Sequence, residues 1–373
     1  MTCLKKLCFK IGSGATPRGG KDSYQGGDYA LIRSQNVLDW EFTRNGLAYI
    51  NDEQASRLDA VRIQSGDILL NITGDSVARA CLVPTGIHKA RVNQHVCIIR
   101  PDLERLDNVY LLMFLENKKS ELLQIASSGA TRNALTKGFI ESLEIQVPPI
   151  DDQLKIATPI RNINLQIDNL NKANGHLLEL TSAKHVELSK NQKNRSLNDI
   201  CEFVSDKTAI ENAVLETYVS TESLIVDKRG RQTASKFPTS GKVTVYHPGD
   251  TLISNIRPYF KKIWFADCMG TCSNDVLVFR AKSDDMASLL YFTLYSDAFF
   301  EYMVAGSKGT KMPRGDKNQI MSYRIPAIDD VVKVFSSEAS KVLNLISTNR
   351  REIATLEQLR DALLPKLMSG EID

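Results

Sequence analysis

Short runs that mix arginine or lysine with asparagine, glutamine and small residues recur along this chain. In its first half they are Thr16-Pro-Arg-Gly-Gly-Lys21, Ile32-Arg-Ser-Gln-Asn36, His88-Lys-Ala-Arg91 with Asn93 and Gln94, and Thr131-Arg-Asn133. In its second half they are Asp227-Lys-Arg-Gly-Arg-Gln232, Arg257-Pro-Tyr-Phe-Lys-Lys262 and Ser307-Lys-Gly-Thr-Lys-Met-Pro-Arg314. Lysine and backbone amides hold phosphates, while arginine, glutamine and asparagine hydrogen-bond in pairs to guanine and adenine edges. A single loop of this kind suits any solvated surface better, but recurrence in both halves puts a nucleic-acid face on an equal footing. The residues expected to touch DNA are Arg18, Lys21, Arg33, Gln35, Asn36, Arg91, Gln94, Arg132 and Asn133 in the first half. In the second they are Lys228, Arg229, Arg231, Gln232, Arg257, Lys261, Lys308, Lys311 and Arg314.

Catalytic patterns are missing from the chain. It has no Walker loop, no GxSxG and no HExxH. The glycine-rich run Gly12-Ser-Gly-Ala-Thr-Pro-Arg-Gly19 lacks the GK[ST] that would cradle a phosphate, and reads as an ordinary loop. Asn255-Ile-Arg-Pro-Tyr259 only partly matches the Asn-Pro-Pro-Tyr motif of amino-methyltransferases, and no glycine motif for a methyl donor accompanies it. Cys268 and Cys272, with His247 upstream, fit no common zinc spacing and are expected to be buried thiols. The histidines (His88, His95, His176, His185 and His247) show no repeat-matched pairing, and His176 and His185 read as surface residues of a helix. No metal site and no catalytic residue is expected.

The elements that position these loops are written twice. Gly66-Asp-Ile-Leu69 is echoed by Gly249-Asp-Thr-Leu252, and Val96-Cys-Ile-Ile-Arg100 by Val276-Leu-Val-Phe-Arg280. Gly129-Ala-Thr-Arg132 matches Lys308-Gly-Thr-Lys311, and Val147-Pro-Pro-Ile-Asp-Asp152 matches Ile325-Pro-Ala-Ile-Asp-Asp330. The matches are collinear, so two copies of one unit, each about half the chain, are predicted. Each copy opens with short β-like runs bounded by Gly, Asp, Asn and Pro, interrupted by helical patches near 109–125 and 287–303.

Each copy closes on a long helix. Ile156, Ile160, Ile163, Ile167, Leu170, Asn174, Leu177, Thr181, Lys184 and Leu188 recur in steps of four and three. Val332, Phe335, Ala339, Val342, Ile346, Asn349, Ile353, Leu356, Arg360, Leu363 and Leu367 repeat the rhythm. Such a stripe is a coiled-coil seam that needs a partner helix. Each helix is the natural partner of the other, and a two-fold relation between copies makes them antiparallel. Asn174 and Asn349 fall on the seam, where a polar residue can fix register. Pro159 implies either a helix that begins near Thr158 or a kink, and Pro365 a last turn. The predicted fold is α+β: two similar globules, 1–147 and 194–325, with two long helices, 148–193 and 326–373, packed as an antiparallel coiled coil in a pseudo-two-fold repeat.

Bulk composition agrees with this and excludes other classes. The 373 residues are 42% hydrophobic and 24% charged, enough apolar content for real cores, and their length suits about two domains. The formal net charge of +3 is too small for a protein that coats nucleic acid non-specifically. No apolar run approaches the ~20 residues of a membrane helix. The start, MTCLKKLCFK, lacks the apolar core of a secretory signal. Seven irregularly spaced cysteines therefore read as reduced thiols in a cytoplasmic protein.

The chain resembles the specificity subunit of a type I restriction–modification enzyme. Carrying the resemblance are two globules each followed by a long helix, Gly66-Asp-Ile-Leu-Leu-Asn-Ile-Thr-Gly74, and Gly129-Ala-Thr-Arg-Asn-Ala-Leu135. Val147-Pro-Pro-Ile-Asp-Asp-Gln153 resembles that family's Pro-Pro-x-x-Glu-Gln helix start, and 356–371 resembles its usual ending. Asp152 replaces the usual Glu, Val331 stands where a second Gln is expected, and Pro159 is unusual. The resemblance implies two target-recognition domains, each reading one half of a split, asymmetric double-stranded DNA site. It implies that the helices set the gap between half-sites and dock two methyltransferase subunits, which use S-adenosylmethionine to methylate adenine. Restriction subunits driven by ATP and Mg are implied to join them, leaving this chain without cofactor or catalysis of its own. The recognition subunit of a related type II enzyme, and a coiled-coil scaffold that never touches DNA, are the competing readings.

Overall fold

The computed structural model describes residues 1–373 other than 20–23, 25, 128–133, 191–193, 239 and 373. It divides into two compact units, one formed by 1–168 with 354–373 and the other by 169–353. Both boundaries fall inside the long helices. Each unit therefore holds one globule and a part of each helix, a division that cuts across the globule-and-helix segmentation expected from the sequence.

In the first unit β1 (Cys8–Ser13), β2 (Tyr29–Ile32), β3 (Ala48–Ile50), β4 (Ile68–Asn71), β5 (Ala80–Leu82), β6 (Ala90–Val92) and β7 (Val96–Pro101) form two sheets. One is antiparallel in the order β1-β7-β4-β5; the other, β3-β2-β6, includes a parallel pair between β2 and β6. The strands are short because Gly, Asp and Asn break the chain every few residues. Ile68, Leu70, Cys97 and Ile99 bury one face against helices α1 (Asn108–Asn117) and α2 (Lys119–Ser127), while Leu69, Cys81 and Ile98 bury the other against the second sheet. Apolar residues on both faces explain why these strands read as unbroken hydrophobic runs. The long helix α3 (Ile150–Leu188) begins at Ile150 and passes Pro159 as one element, so it does not start at Thr158.

The second unit repeats the first sheet with β8 (Cys201–Phe203), β12 (Thr251–Ser254), β13 (Ile263–Phe265) and β15 (Val276–Ala281), in the order β8-β15-β12-β13. The register is the same in both copies. Leu70 faces Cys97 as Ile253 faces Leu277, and Ile68 faces Ile99 as Thr251 faces Phe279. Its other sheet differs. There β14 (Gly270–Cys272) lies between β10 (Tyr218–Val219) and β11 (Lys242–Tyr246), with β9 (Lys207–Ala209) at the edge. The predicted helical patch at 287–303 is two helices, α4 (Ala287–Tyr295) and α5 (Asp297–Ala305), broken at Ser296, which caps α5 through its hydroxyl. The last helix, α6 (Asp330–Ser369), carries Pro365 inside it.

The Gly-Asp repeats have one structural cause. At Gln64–Asp67 and His247–Asp250 the chain makes a tight turn whose third residue has positive φ, +86° at Gly66 and +91° at Gly249. The Asp67 and Asp250 amides close the turns to the carbonyls of Gln64 and His247, and glycine reaches that φ without strain. Each aspartate then accepts from the amide that opens its turn and forms a two-bond ion pair, Asp67 with Arg100 (2.7 and 2.8 Å) and Asp250 with Arg280 (2.8 and 2.7 Å). The two sequence echoes are the two ends of one interaction.

Within each unit the helix segments run antiparallel. In the second, Asn349 donates to Asn174 (2.7 Å), Lys184 pairs with Glu338, and His185 stacks near Phe335. As one number rises the other falls. In the first, Arg360 donates to Asn164, and Leu364 and Leu367 join the cluster of Ala157 and Ile160. Both seam asparagines are buried and satisfy one another, the arrangement by which a polar pair fixes register. His185 is no surface residue: it is buried and bonded to Thr293. The seam also shifts in α6, where Leu343 and Leu364 are buried in place of the expected Val342 and Leu363. The start of α3 is pinned by Gln153, which is fully buried and bonds the Asp107 amide and the carbonyls of Arg105 and Pro148. Val331 is exposed and supplies nothing similar; the Asp329 carboxylate instead accepts from the Val332 amide at the start of α6.

Gly175 lies exposed inside α3, and a Cβ there meets nothing within 4 Å. Gly175→Ala should stabilise the protein by about 1 kcal/mol, read as a raised urea midpoint. An unchanged or lowered midpoint would mean that the helix needs glycine there.

Candidate nucleic-acid interface

The loops that follow the sheet strands converge in each unit. In the first, residues 33–46 leave β2, 72–79 join β4 to β5, and 93–95 join β6 to β7. Asn71 donates to the carbonyls of Ser34 and Val37, the Ile72 amide to His95, and Thr73 bridges to Ala134. The second unit makes equivalent bonds. The Asn255 amide donates to Asp275, and Ile256 bridges to Arg314. Four chain segments thus meet at one place in the first copy, and the equivalents of three of them in the second.

In the first unit they surround an open cleft of about 820 Å³, lined by Ser34, Gln35, Thr73, Gly74, Asp75, Ser76, Arg79 and His95. Thr73 Oγ1 lies 2.6 Å from His95 Nδ1, and the other ring nitrogen of His95 is 3.2 Å from the Gln94 amide. Arg33 and Gln35 both donate to the Gly46 carbonyl, which holds the outer loop against the cleft wall.

Only part of the expected residue set lies on this surface. Gln35 lines the cleft, Gln94 is exposed beside it, and Arg18 is exposed but does not line it. Asn36 must be corrected: it is fully buried, and its amide group bonds the Arg33 amide and the carbonyls of Thr43 and Asn45. Arg91 must be corrected as well. It is 4% exposed and is consumed by the carbonyls of Ala55 and Ala90 and by Asp59. A polar residue in a loop can hold the loop's own backbone as readily as a ligand, and type and spacing do not distinguish the two. Lys21, Arg132 and Asn133 lie outside the described residues.

In the second unit Lys228 and Lys261 both reach Asp297 Oδ1 (2.8 and 2.6 Å), so they clamp loops 227–232 and 255–262 to α5 rather than offering two uncompensated charges. These two bonds hold the Asp297 carboxyl below its ordinary range. Arg231 lies over the Trp264 ring and donates to the Glu216 carbonyl, a structural use. Arg314 pairs with Asp275 and Lys308 with Asp316, both on the surface, where such pairs exchange easily for other anions. Arg229, Gln232, Arg257 and Lys311 are exposed. Sequence reasoning missed Ser34, Thr73, Asp75, Ser76, Arg79 and His95. Thr73 and Gly74 end the Gly66–Gly74 motif, which was the one available signal.

Among the described residues no group of His, Cys, Asp or Glu could hold a metal ion. All seven cysteines are free, and burial pushes the thiols of Cys97, Cys201 and Cys272 up to about 12. Among the described residues no helix is long and apolar enough to cross a membrane.

Residues 3–178 match the family model of the type I restriction modification DNA specificity domain. The MjaIX specificity subunit, a type I restriction enzyme chain of Methanocaldococcus jannaschii, is 24% identical over 97% of this chain and 91% of its own. The MjaX specificity subunit of the same organism is 21% identical over 99% and 92%. The crystal structure of the type I restriction–modification S subunit from M. genitalium shares the fold, with a TM-score of 0.56, 13% identity, and coverage of 98% and 95%. The first part of the chain thus matches the type I restriction modification DNA specificity domain, and the chain as a whole is similar, end to end, to type I restriction enzyme specificity subunits.

Proposed function

We propose that this chain chooses the DNA sequence on which a type I restriction–modification complex acts. The globules 1–147 and 194–325 serve as two target-recognition domains, each reading one half of a split double-stranded site. The helices 148–193 and 326–373 act as spacer and as the docking surface for two methyltransferase subunits, with restriction subunits joining them. Adenine methylation with S-adenosylmethionine, and restriction with ATP and Mg, reside in those partners, and this chain takes no cofactor and performs no catalysis.

One observation carries this reading. Both units hold three segments together with the same backbone pairings, yet fill the loops with different side chains. A shared scaffold with divergent polar loops suits the reading of two different half-sites. Of the expected contacts among the described residues, we propose that Arg18, Gln35, Gln94, Arg229, Gln232, Arg257, Lys308, Lys311 and Arg314 meet DNA.

The test maps methylated adenines in the genome of a cell carrying this chain and its methyltransferase. A split motif with a fixed gap is expected, and an uninterrupted motif or no motif would defeat the reading. In the assembled complex, duplex binding should fall steeply as salt rises, since phosphate contacts release counterions. Absence of duplex binding at low salt would favour a scaffold that never touches DNA.

A further inference from the structure

The loop joining the third and fourth strands of the repeated sheet has the same backbone in both units. Gly74 (φ +80°) and Ala78 (φ +67°) of the first unit correspond to Arg257 (φ +52°) and Lys261 (φ +49°) of the second. The Val77 amide donates to Gly74 as the Phe260 amide does to Arg257, and Asn71 donates to Arg79 as Ser254 does to Lys262. Between the two left-handed positions the first unit carries Asp75-Ser76-Val77, and Val77 is buried. The second carries Pro258-Tyr259-Phe260. Tyr259 is 49% exposed and Phe260 37%, with ring centroids 4.7 Å apart.

We propose that Tyr259 and Phe260 form an aromatic wedge that stacks on nucleobases in the half-site read by the second unit, unstacking a base step there. The inference rests on the DNA-reading function proposed above. Every base offers a π face to an aromatic side chain, and apolar wedges between base steps are an established way for proteins to deform a duplex. The loop is prepared for such a role. Its backbone is fastened by the Asp227 and Lys228 amides to the carbonyls of Phe260 and Lys261, and by the Arg257 amide to Pro313. Asp297 holds the Lys261 side chain from behind. A fastened loop can present an aromatic pair to a ligand without first being ordered.

Charge selects nucleic acid as the occupant. Arg257 flanks the rings and is exposed, as are Arg229 and Lys311 on the neighbouring loops. Arg257 stands in a left-handed conformation where the first unit has glycine, so a strained backbone carries a long cation beside two exposed rings. The corresponding loop of the first unit offers no ring for this, since it presents Gly74, Asp75 and Ser76 to the open cleft. The two half-sites are therefore read by different physics: polar groups in one, stacking and deformation in the other.

The experiment uses the full chain assembled with its methyltransferase subunits. Its probe is a duplex bearing the split motif from methylation mapping, with 2-aminopurine placed at successive positions of both half-sites other than the methylated adenines, which methyltransferases flip out of the stack by themselves. Fluorescence should rise several-fold at one step in one half-site only. The rise should disappear in Tyr259→Ala/Phe260→Ala and persist in Tyr259→Phe, while the other half-site stays unchanged. Circular dichroism reports whether each variant is folded. Binding by anisotropy with no rise at any position, or a rise that survives the double substitution in a folded complex, overturns the wedge. Lack of binding by the unmodified complex overturns the DNA-reading function itself, and the wedge with it.

Discussion

Replacing Arg100 with leucine should destabilise the protein by about 3–5 kcal/mol, the usual cost of breaking a buried ion pair from one side. Asp67 is fully buried, and Arg100 supplies both bonds of its counter-charge. Without the guanidinium, the carboxylate keeps only the Gln64 amide, 2.6 Å away. At roughly 2–4 °C per kcal/mol for domains of 150–250 residues, the melting temperature should fall by on the order of 10 °C. Asp67→Asn in the same background should recover most of the stability, since a neutral amide needs no counter-charge and its oxygen still accepts from Gln64. If the double substitution is as unstable as Arg100→Leu alone, packing of the arginine stem and not charge holds the site. The corresponding Arg280→Leu should cost less, as Arg280 is 30% exposed and its surroundings are more open to water.

This ion pair also shows how far a sequence can be read. The repeats at Gly66-Asp67 and Val96–Arg100 were visible as text, and so was the duplication of the unit. That they are one contact follows only when β4 lies beside β7, a pairing of residues about 30 positions apart. Long helices were legible because burial of one stripe imposes a period on the sequence. The second sheet was not, because its strands are two to five residues long and its pairing differs between copies.

The site was legible as a set of loops and not as a set of residues. Gln35, Gln94 and Arg257 reach the surface, whereas Asn36, Arg91 and Arg231 turn inward to satisfy carbonyls that the loops themselves leave open. Loops with little regular structure must bond their backbone to side chains. Arg79 and His95 escaped notice for the opposite reason. Arg79 lies outside every polar run, His95 ends one but reads only as an unpaired histidine, and only the fold brings them to the cleft formed with Ser34 and Thr73.

Glu116 should make stability depend on pH near neutrality. Its side chain is 5% exposed in α1, and its Oε1 is buried with no hydrogen-bond partner. Burial is the main cause that pushes its carboxyl up to about 7, and the neighbouring Asp39 adds to it. Lys119, 3.5 Å from the other oxygen, opposes the shift, but it also serves Asp39. A carboxyl whose value is raised on folding favours the folded state most when protonated. Its contribution is therefore complete below about 4.5, where the unfolded chain also holds the proton, and is lost as pH rises through about 7. That interval corresponds to roughly 3 kcal/mol. Glu116→Gln keeps the shape and removes the ionisation. The variant should match the parent below pH 4.5 and exceed it by up to about 3 kcal/mol above pH 8, measured as urea midpoints across that range. Lys119 retains Asp39 as a partner, so the gain should not be offset by a stranded cation. A difference between the two proteins that stays constant from pH 4.5 to 8.5 would show that Glu116 is ionised throughout, with water or a shifted lysine reaching Oε1.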